Sequence, residues 1–312
     1  MKAAQITQYG DAGVVSVRAD APLPVAAGGN VLVEVHAASL NPADSSIRSG
    51  YMHQMAPLQF PATPGIDVAG IVVEAEGSPG GLKVGDRVFG NASALAGGSG
   101  AFAEYASVPA AALATVPAKT SFLEAAALPL AGVSALQALE TLKASKESTI
   151  FIQGAAGGIG SFAVQIARHL GARVIASCRG SAVPYVKSLG ADQVIDFEKT
   201  AIEGNVSNCD FVFDTAGGEA YKSAFAALKK GGTIVTIAAR PEADLAARFG
   251  VTALGQMTDV RTPSLDRLAR LVADGNVKVH IDRTFPLDMV QDAFRAREAG
   301  RVKGKIVLQI RK

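Results

Sequence analysis

Cysteine is scarce: the chain has two, Cys178 and Cys209, too far apart for a Cys-x-x-Cys pair. That excludes a disulfide framework and leads to the expectation of a reduced, cytoplasmic setting. Histidine is nearly as rare. His36, His53, His169 and His280 form no His-Glu-x-x-His motif and no metal-ligand spacing with Cys or Glu, so they read as ordinary surface or packing residues and no metal site is expected. The formal charge is +2, with Lys and Arg scattered. No basic tract is present to track a phosphate backbone, which excludes nucleic acid as the expected partner. No apolar run reaches the roughly 18 residues that a bilayer span requires. The opening Met1-Lys2-Ala3-Ala4-Gln5-Ile6 reads as a strand rather than a secretory leader, so no membrane association is expected. No internal repeat stands out either, which sets solenoids and propellers aside.

What is present is a chain of 312 residues, 49% hydrophobic, 19% charged and carrying 33 glycines. Length and composition suit two domains of an α/β protein rich in tight turns. The first third is dominated by strand signals: residues 31–35 and 68–74 are short runs rich in Val and Ile. Turn clusters lie at Ser78-Pro79-Gly80-Gly81 and at Val84-Gly85-Asp86-Arg87-Val88. Strands so closely spaced, without helices between them, predict a barrel-like domain. Ser121 and Glu124 have the spacing of a capping box, and Pro129 divides the helical stretch that follows.

From Thr149 the pattern changes to regular alternation. Strands are expected at 149–153, 173–177, 193–195, 211–214, 233–238 and 251–256, with helices at 159–170, 183–189, 221–229 and 264–273. Apolar strands alternating with helices predict a doubly wound parallel sheet of the Rossmann type. The tail returns to strand character at 277–284 and 305–310, around a helix near 287–296. The reading therefore assigns residues 1–121, completed by 283–312, to one domain and residues 122–282 to a nucleotide-binding domain.

The strand at 149–153 runs directly into Gly154-Ala155-Ala156-Gly157-Gly158-Ile159-Gly160, and a helix follows. Gly154 permits the tight turn out of the strand, Gly157 and Gly158 let the main chain approach a pyrophosphate, and Gly160 lets the helix pack on the sheet. The first amides of the helix then face the phosphates, with the helix dipole favouring negative charge. The position of the loop, at a strand-to-helix junction inside a βαβ unit, is what makes this a dinucleotide signal. The second strand ends Ala176-Ser177-Cys178-Arg179, with no carboxylate before Asp192. An acid there would hold the ribose hydroxyls of NADH. Ser177 and Arg179 can instead pair with a 2′-phosphate, so NADPH is the expected cofactor. Tyr9, Tyr51, Tyr105, Tyr185 and Tyr221 all lack Lys four positions on, which argues against a short-chain dehydrogenase.

Taken in order, these segments resemble the medium-chain dehydrogenase/reductase superfamily, in its zinc-free quinone oxidoreductase branch of ζ-crystallin-like proteins and enone reductases. The matching stretches are Asn41-Pro42-Ala43-Asp44 with Ile47-Arg48-Ser49-Gly50, Pro64-Gly65-Ile66-Asp67-Val68-Ala69-Gly70 and Val84-Gly85-Asp86-Arg87-Val88. Leu128-Pro129-Leu130-Ala131-Gly132, the glycine loop and Gly304-Lys305-Ile306-Val307-Leu308 complete the set. Zinc-dependent relatives carry a Cys within the region of Asn41–Asp44, a His where Ile66 stands, and a cysteine-rich lobe near residues 91–100. This chain has none of these.

The resemblance implies a GroES-like catalytic domain packed on the Rossmann domain, with the active site in the cleft between them. It also implies hydride transfer from NADPH to a quinone or an α,β-unsaturated carbonyl, and a homodimer. A conjugated carbonyl delocalises the incoming charge, so hydrogen-bond donors can replace a Lewis acid. By the same resemblance Asn41 and Asp44 line the cleft, and Ser134 stands beside the nicotinamide. On residue type alone, the alternative readings are a turn residue before Pro42 for Asn41 and a helix cap for Asp44. Tyr51 is a proton donor, a ring-packing residue or a cover for the barrel edge. Ala238 and Arg240 lie at strand ends where the cofactor passes. Ser46 departs from the larger residues of some relatives. A trans-2-enoyl thioester reductase and a catalytically idle NADPH-binding protein are the competing functions.

Overall fold

The computed structural model describes every residue except Met55, Ala56, Ser78, Pro79 and Lys312. Two residues of the expected turn at 78–81, Ser78 and Pro79, thus lie outside the described residues. The rest form two compact units: residues 1–131, 260–274 and 279–312 make one, residues 132–259 and 275–278 the other.

The first unit is built on a mixed sheet. Among the described residues its order is Ile281–Pro286, Lys305–Gln309, Asn30–Leu40, Asp67–Glu74, Arg87–Asn91 and Leu113–Thr115, with Tyr105–Pro109 also paired to Asn30–Leu40. The pairings around Asn30–Leu40 are antiparallel, and its register slips twice against Asp67–Glu74. Such irregularities bend a strand and sharpen its twist, which lets a short sheet curl around its own side chains. The core inside the curl includes Val33, Val35, Val68, Val88, Phe102, Phe294 and Leu308. Leu40 ends the long strand, and the helix Pro42–Arg48 starts at once, with Pro42 in the first turn where its missing N–H does no harm.

In the second unit six strands lie parallel among the described residues. Numbered within this sheet they are β1 (Thr149–Gln153), β2 (Arg173–Cys178), β3 (Gln193–Asp196), β4 (Cys209–Asp214), β5 (Leu228–Thr236) and β6 (Thr252–Gly255). Their order is 3-2-1-4-5-6. This is the doubly wound arrangement expected from the alternation, and it reverses direction at β1, where ligands of such sheets bind. Phe151, Val212 and Ile234 are fully buried and belong to the core on one side of the sheet.

Three local features differ from the pattern reading. The helix expected over 221–229 runs over Gly218–Ala224, passes through a tight turn at Phe225–Ala227, and gives way to β5 at Leu228. In the strand, which pairs with β4, Lys229 forms an ion pair with Asp210 at the head of β4, a partner that helical periodicity does not reveal. The tail strand begins at Ile281 rather than Val277, since Lys278 is taken up by Gln165 of the helix Gly158–His169. The helix Thr262–Ala273 groups with the first unit, where the sequence reading attaches it to the nucleotide half. Its first residue is tied to that unit through Thr262 Oγ1, which donates to the carbonyls of Ala111 at 3.0 Å and Leu113 at 2.7 Å.

The Ser121–Glu124 capping box forms as expected. Glu124 N–H donates to Ser121 Oγ at 3.2 Å, and Glu124 Oε2 accepts the Ser121 N–H at 2.9 Å. Pro129 starts the next helix, Pro129–Thr141.

Candidate functional site

The second unit presents the glycine loop at the end of β1. Gly154 leaves β1 with φ +68°, a left-handed conformation that glycine accepts without strain, and a Cβ there would fall 2.5 Å from Thr215 Oγ1. The helix Gly158–His169 begins immediately afterwards, and a Cβ on Gly160 would fall 2.3 Å from the Gly154 carbonyl oxygen. Glycine at these positions is what lets helix and loop stack this closely. Gly157 precedes the helix and supplies no side-chain cap, so the amides of Gly158, Ile159 and Gly160 open the helix without one. Unpaired N–H groups and the positive end of the helix dipole favour an anion there. Ala155 N–H donates to the Ser177 carbonyl at 3.0 Å, which fixes the loop against the end of β2. The residues present therefore fit a diphosphate.

Around the cradle the strand ends are tied together. Asp214, fully buried at the end of β4, accepts Thr236 Oγ1 at 2.7 Å and the N–H groups of Ala216 and Gly217 at 3.0 Å. Thr215 Oγ1 donates to the Gln153 carbonyl at 2.7 Å. These residues carry no motif of their own and were passed over in the sequence. The only available signal was Asp-Thr-x-Gly after an apolar strand.

The other expected nucleotide residues divide by exposure. Ser177 and Ser134 are buried, and the Ser134 hydroxyl is engaged with Thr258 Oγ1 at 2.6 Å. Ala238 and Arg240 are exposed just beyond β5, and Ala238 N–H donates to Thr236 Oγ1 at 3.2 Å. Arg179 is half exposed beyond β2, with Nη1 3.3 Å from Glu198 Oε1.

In the first unit the expected residues Asn41 and Asp44 stand together, and the fold adds two more. Asn41 Nδ2 donates to Asp67 Oδ2 at 2.8 Å, and its Oδ1 accepts from Lys305 Nζ at 2.5 Å. Lys305 also donates to the Leu40 carbonyl at 3.2 Å and reaches Asp67 Oδ2 at 3.3 Å. Asp67 further accepts Ser39 Oγ at 2.7 Å and the Leu130 N–H at 2.9 Å. All four side chains are buried. The sequence displayed Asp67 and Lys305 inside recognisable segments but gave no sign that they meet.

Asp44 serves this network as a cap and as an acid. Its Oδ2 accepts the Asn41 N–H at 2.7 Å, one half of a capping box at the head of Pro42–Arg48. Its other oxygen, Oδ1, is buried, the Ile66 main chain also favours the ionised carboxyl, and the residue borders a small cleft with Ile47, Leu58, Pro64, Ile66 and Leu95. Burial, reinforced by the negative charge of Asp67, pushes the Asp44 carboxyl up to about 7, against the opposing pull of the Asn41 N–H and the Lys305 charge. Burial also lowers the Lys305 ammonium from its ordinary value, while Asp67 and Asp44 hold it up. Tyr51, by contrast, is 87% exposed.

These residues do not fit a zinc ion. Among the described residues no three of His, Cys, Asp and Glu come together as a ligand set. The buried carboxylate of Asp67 already carries an ammonium, Asn41 has its amide engaged at both ends, and Ile66 offers no donor atom. No helix among the described residues is long and apolar enough to cross a membrane.

Comparison with known proteins identifies the family. Residues 27–118 match the family described as alcohol dehydrogenase GroES-like domain, and residues 189–308 match the family described as zinc-binding dehydrogenase. The chain is 38% identical to the 2-methylene-furan-3-one reductase of Solanum lycopersicum, with 99% of this chain and 79% of that protein covered. It is 35% identical to the chloroplastic NADPH-dependent alkenal/one oxidoreductase of Arabidopsis thaliana, over the same shares of both chains. The solved quinone oxidoreductase of Coxiella burnetii superposes with a TM-score of 0.91 at 31% identity, covering 100% of this chain and 99% of that one. The chain therefore belongs to the medium-chain dehydrogenase/reductase superfamily, in its branch of quinone and enone reductases.

Proposed function

We propose that this protein is an NADPH-dependent reductase of quinones or α,β-unsaturated carbonyls that works without a metal. The reading is carried by the glycine cradle at the head of the helix Gly158–His169, where glycine is required by close packing and the helix start is left uncapped. Arg179 beyond β2 supports the choice of the phosphorylated nucleotide, since a guanidinium pairs with a 2′-phosphate. An NADPH-dependent relative at 35% identity supports it as well. Ser134, Ser177, Ala238 and Arg240 line the remainder of the nucleotide's course.

When bound, the cofactor supplies a hydride. The acceptor then carries negative charge and needs a proton. Asp44 provides it from a carboxyl that burial keeps protonated up to about pH 7, in a residue that borders a small cleft. Asn41 and its anchors Asp67 and Lys305 keep the head of the Pro42–Arg48 helix in place, and so hold the Asp44 carboxyl in a fixed direction. Tyr51 offers an exposed ring against which a flat acceptor packs. Two buried cysteines that form no disulfide accord with a reduced compartment, and a homodimer is the assembly we assign by resemblance.

The test is NADPH oxidation with three acceptors: a small enone, a naphthoquinone and a short enoyl-CoA. Turnover of the first two supports the reading. Turnover confined to the thioester would instead make this an enoyl thioester reductase, and binding of NADPH without turnover of any acceptor would make it an idle nucleotide-binding protein.

A further inference from the structure

At the nucleotide end of the second unit, a carboxylate answers Arg179 from the neighbouring strand. β3 pairs with β2 in parallel register, with Asp196 opposite Cys178, so the turns leaving the two strands emerge side by side. Glu198, in the turn after β3, reaches across. Its Oε1 lies 3.3 Å from Arg179 Nη1, and its Oε2 accepts the Gly180 N–H at 3.1 Å. A main-chain N–H and a guanidinium converging on one carboxylate form an anion receptor, and a phosphate oxygen would use the same donors.

The surroundings hold the carboxylate in that receptor. Glu198 N–H donates to Asp196 Oδ1 at 3.1 Å, and Asp196 Oδ2 pairs with Lys199 at 3.7 Å. Glycine at 180 is needed for the approach, because a Cβ there would fall 2.5 Å from Asp196 Oδ2. The Arg179 and Glu198 side chains are 52% and 47% exposed. An ion pair so open to water is weak and exchangeable, unlike the buried pair of the first unit. An anion that binds these donors more strongly can therefore displace Glu198.

We propose that Glu198 is a specificity-determining residue of the nucleotide site: its carboxylate occupies the receptor for the 2′-phosphate, so NADPH must displace it while NADH leaves it in place. The inference rests on the reading that Arg179 receives that phosphate. It implies that selectivity for NADPH is set below what Arg179 alone would give, because each binding event breaks the Arg179–Glu198 pair and brings a like charge near the phosphate. The absence of an acid at the end of β2 is offset by one delivered from the end of β3.

The test is fluorescence titration of the full chain with NADPH and with NADH, for the wild type, Glu198→Gln, Glu198→Ala and Arg179→Ala. Both Glu198 variants should bind NADPH roughly two- to fivefold more tightly, the range in which an exposed ion pair acts, and should bind NADH with wild-type affinity. The gain should shrink at high salt, where exposed charges are screened. An unchanged NADPH affinity, or equal tightening for both nucleotides, overturns the proposal. Arg179→Ala separates the two levels. If it weakens NADPH while Glu198→Gln changes nothing, only the role of Glu198 fails. If it leaves NADPH binding intact, the 2′-phosphate reading fails first and takes this inference with it.

Discussion

Lys305 and Asp67 meet 3.3 Å apart with side chains 4% and 0% exposed, and the Asn41 amide bridges them. They come from strands on either side of Asn30–Leu40, 238 residues apart in sequence. A buried pair of this kind fixes geometry more reliably than it adds stability, because both charges have left water. Here the geometry it fixes is the start of the helix that carries Asp44.

Removing one partner exposes that balance. Lys305→Met should destabilise the protein by about 3–5 kcal/mol, since Asp67 is left buried without its counter-charge. Urea unfolding measures the loss. Lys305→Met combined with Asp67→Asn should recover most of it, and a double variant as unstable as the single one would show that packing around Lys305, rather than charge, is decisive.

Asp44 predicts a pH limb. A group that donates its proton must hold it beforehand, so kcat/KM should fall as pH rises through about 7, where the Asp44 carboxyl ionises. Asp44→Asn keeps an acceptor for the Asn41 N–H but cannot donate a proton, and should lower kcat by about 10²–10⁴-fold and abolish that limb. A pH profile of the variant that retains the limb would remove Asp44 from the chemistry.

The same carboxyl predicts a stability trend. Its value in the folded chain is raised from 3.8 to about 7, so between these pH values the folded state holds a proton that the unfolded state has released. Stability from this group is present below pH 3.8 and declines as pH rises toward about 7. Asp44→Asn should therefore be more stable than wild type at pH 8 and close to it at pH 4, as read by thermal unfolding at both values.

The nucleotide cradle predicts a binding defect without loss of fold. Gly154→Ala must hold alanine at φ +68° against Thr215 Oγ1, a strain of about 1–3 kcal/mol. Saturable binding of NADPH should disappear or weaken at least tenfold while the circular dichroism spectrum is retained. Tight binding in this variant would place the nucleotide elsewhere.

Metal removal should change nothing. Prolonged treatment with a strong chelator should leave turnover unaltered, because the residues that meet at Asn41, Asp67 and Lys305 have their polar atoms engaged with one another. Activity lost to the chelator and restored by zinc would contradict the metal-free reading.

The sequence by itself determined what depends on neighbours along the chain. The glycine loop, the Ser121–Glu124 capping box, the break at Pro129 and the alternation from Thr149 onward were legible because a turn, a cap or an amphipathic period is written within a few residues. The tertiary structure alone decided which distant side chains share a site. Strand order brought Lys305 to Asn41 across 264 residues and Glu198 to Arg179 across 19, left Tyr51 exposed, and placed the start of Leu228–Thr236 beside β4 where the pattern suggested helix. Pairings between strands follow from how the sheet closes over its core, and no local pattern of residues encodes that closure.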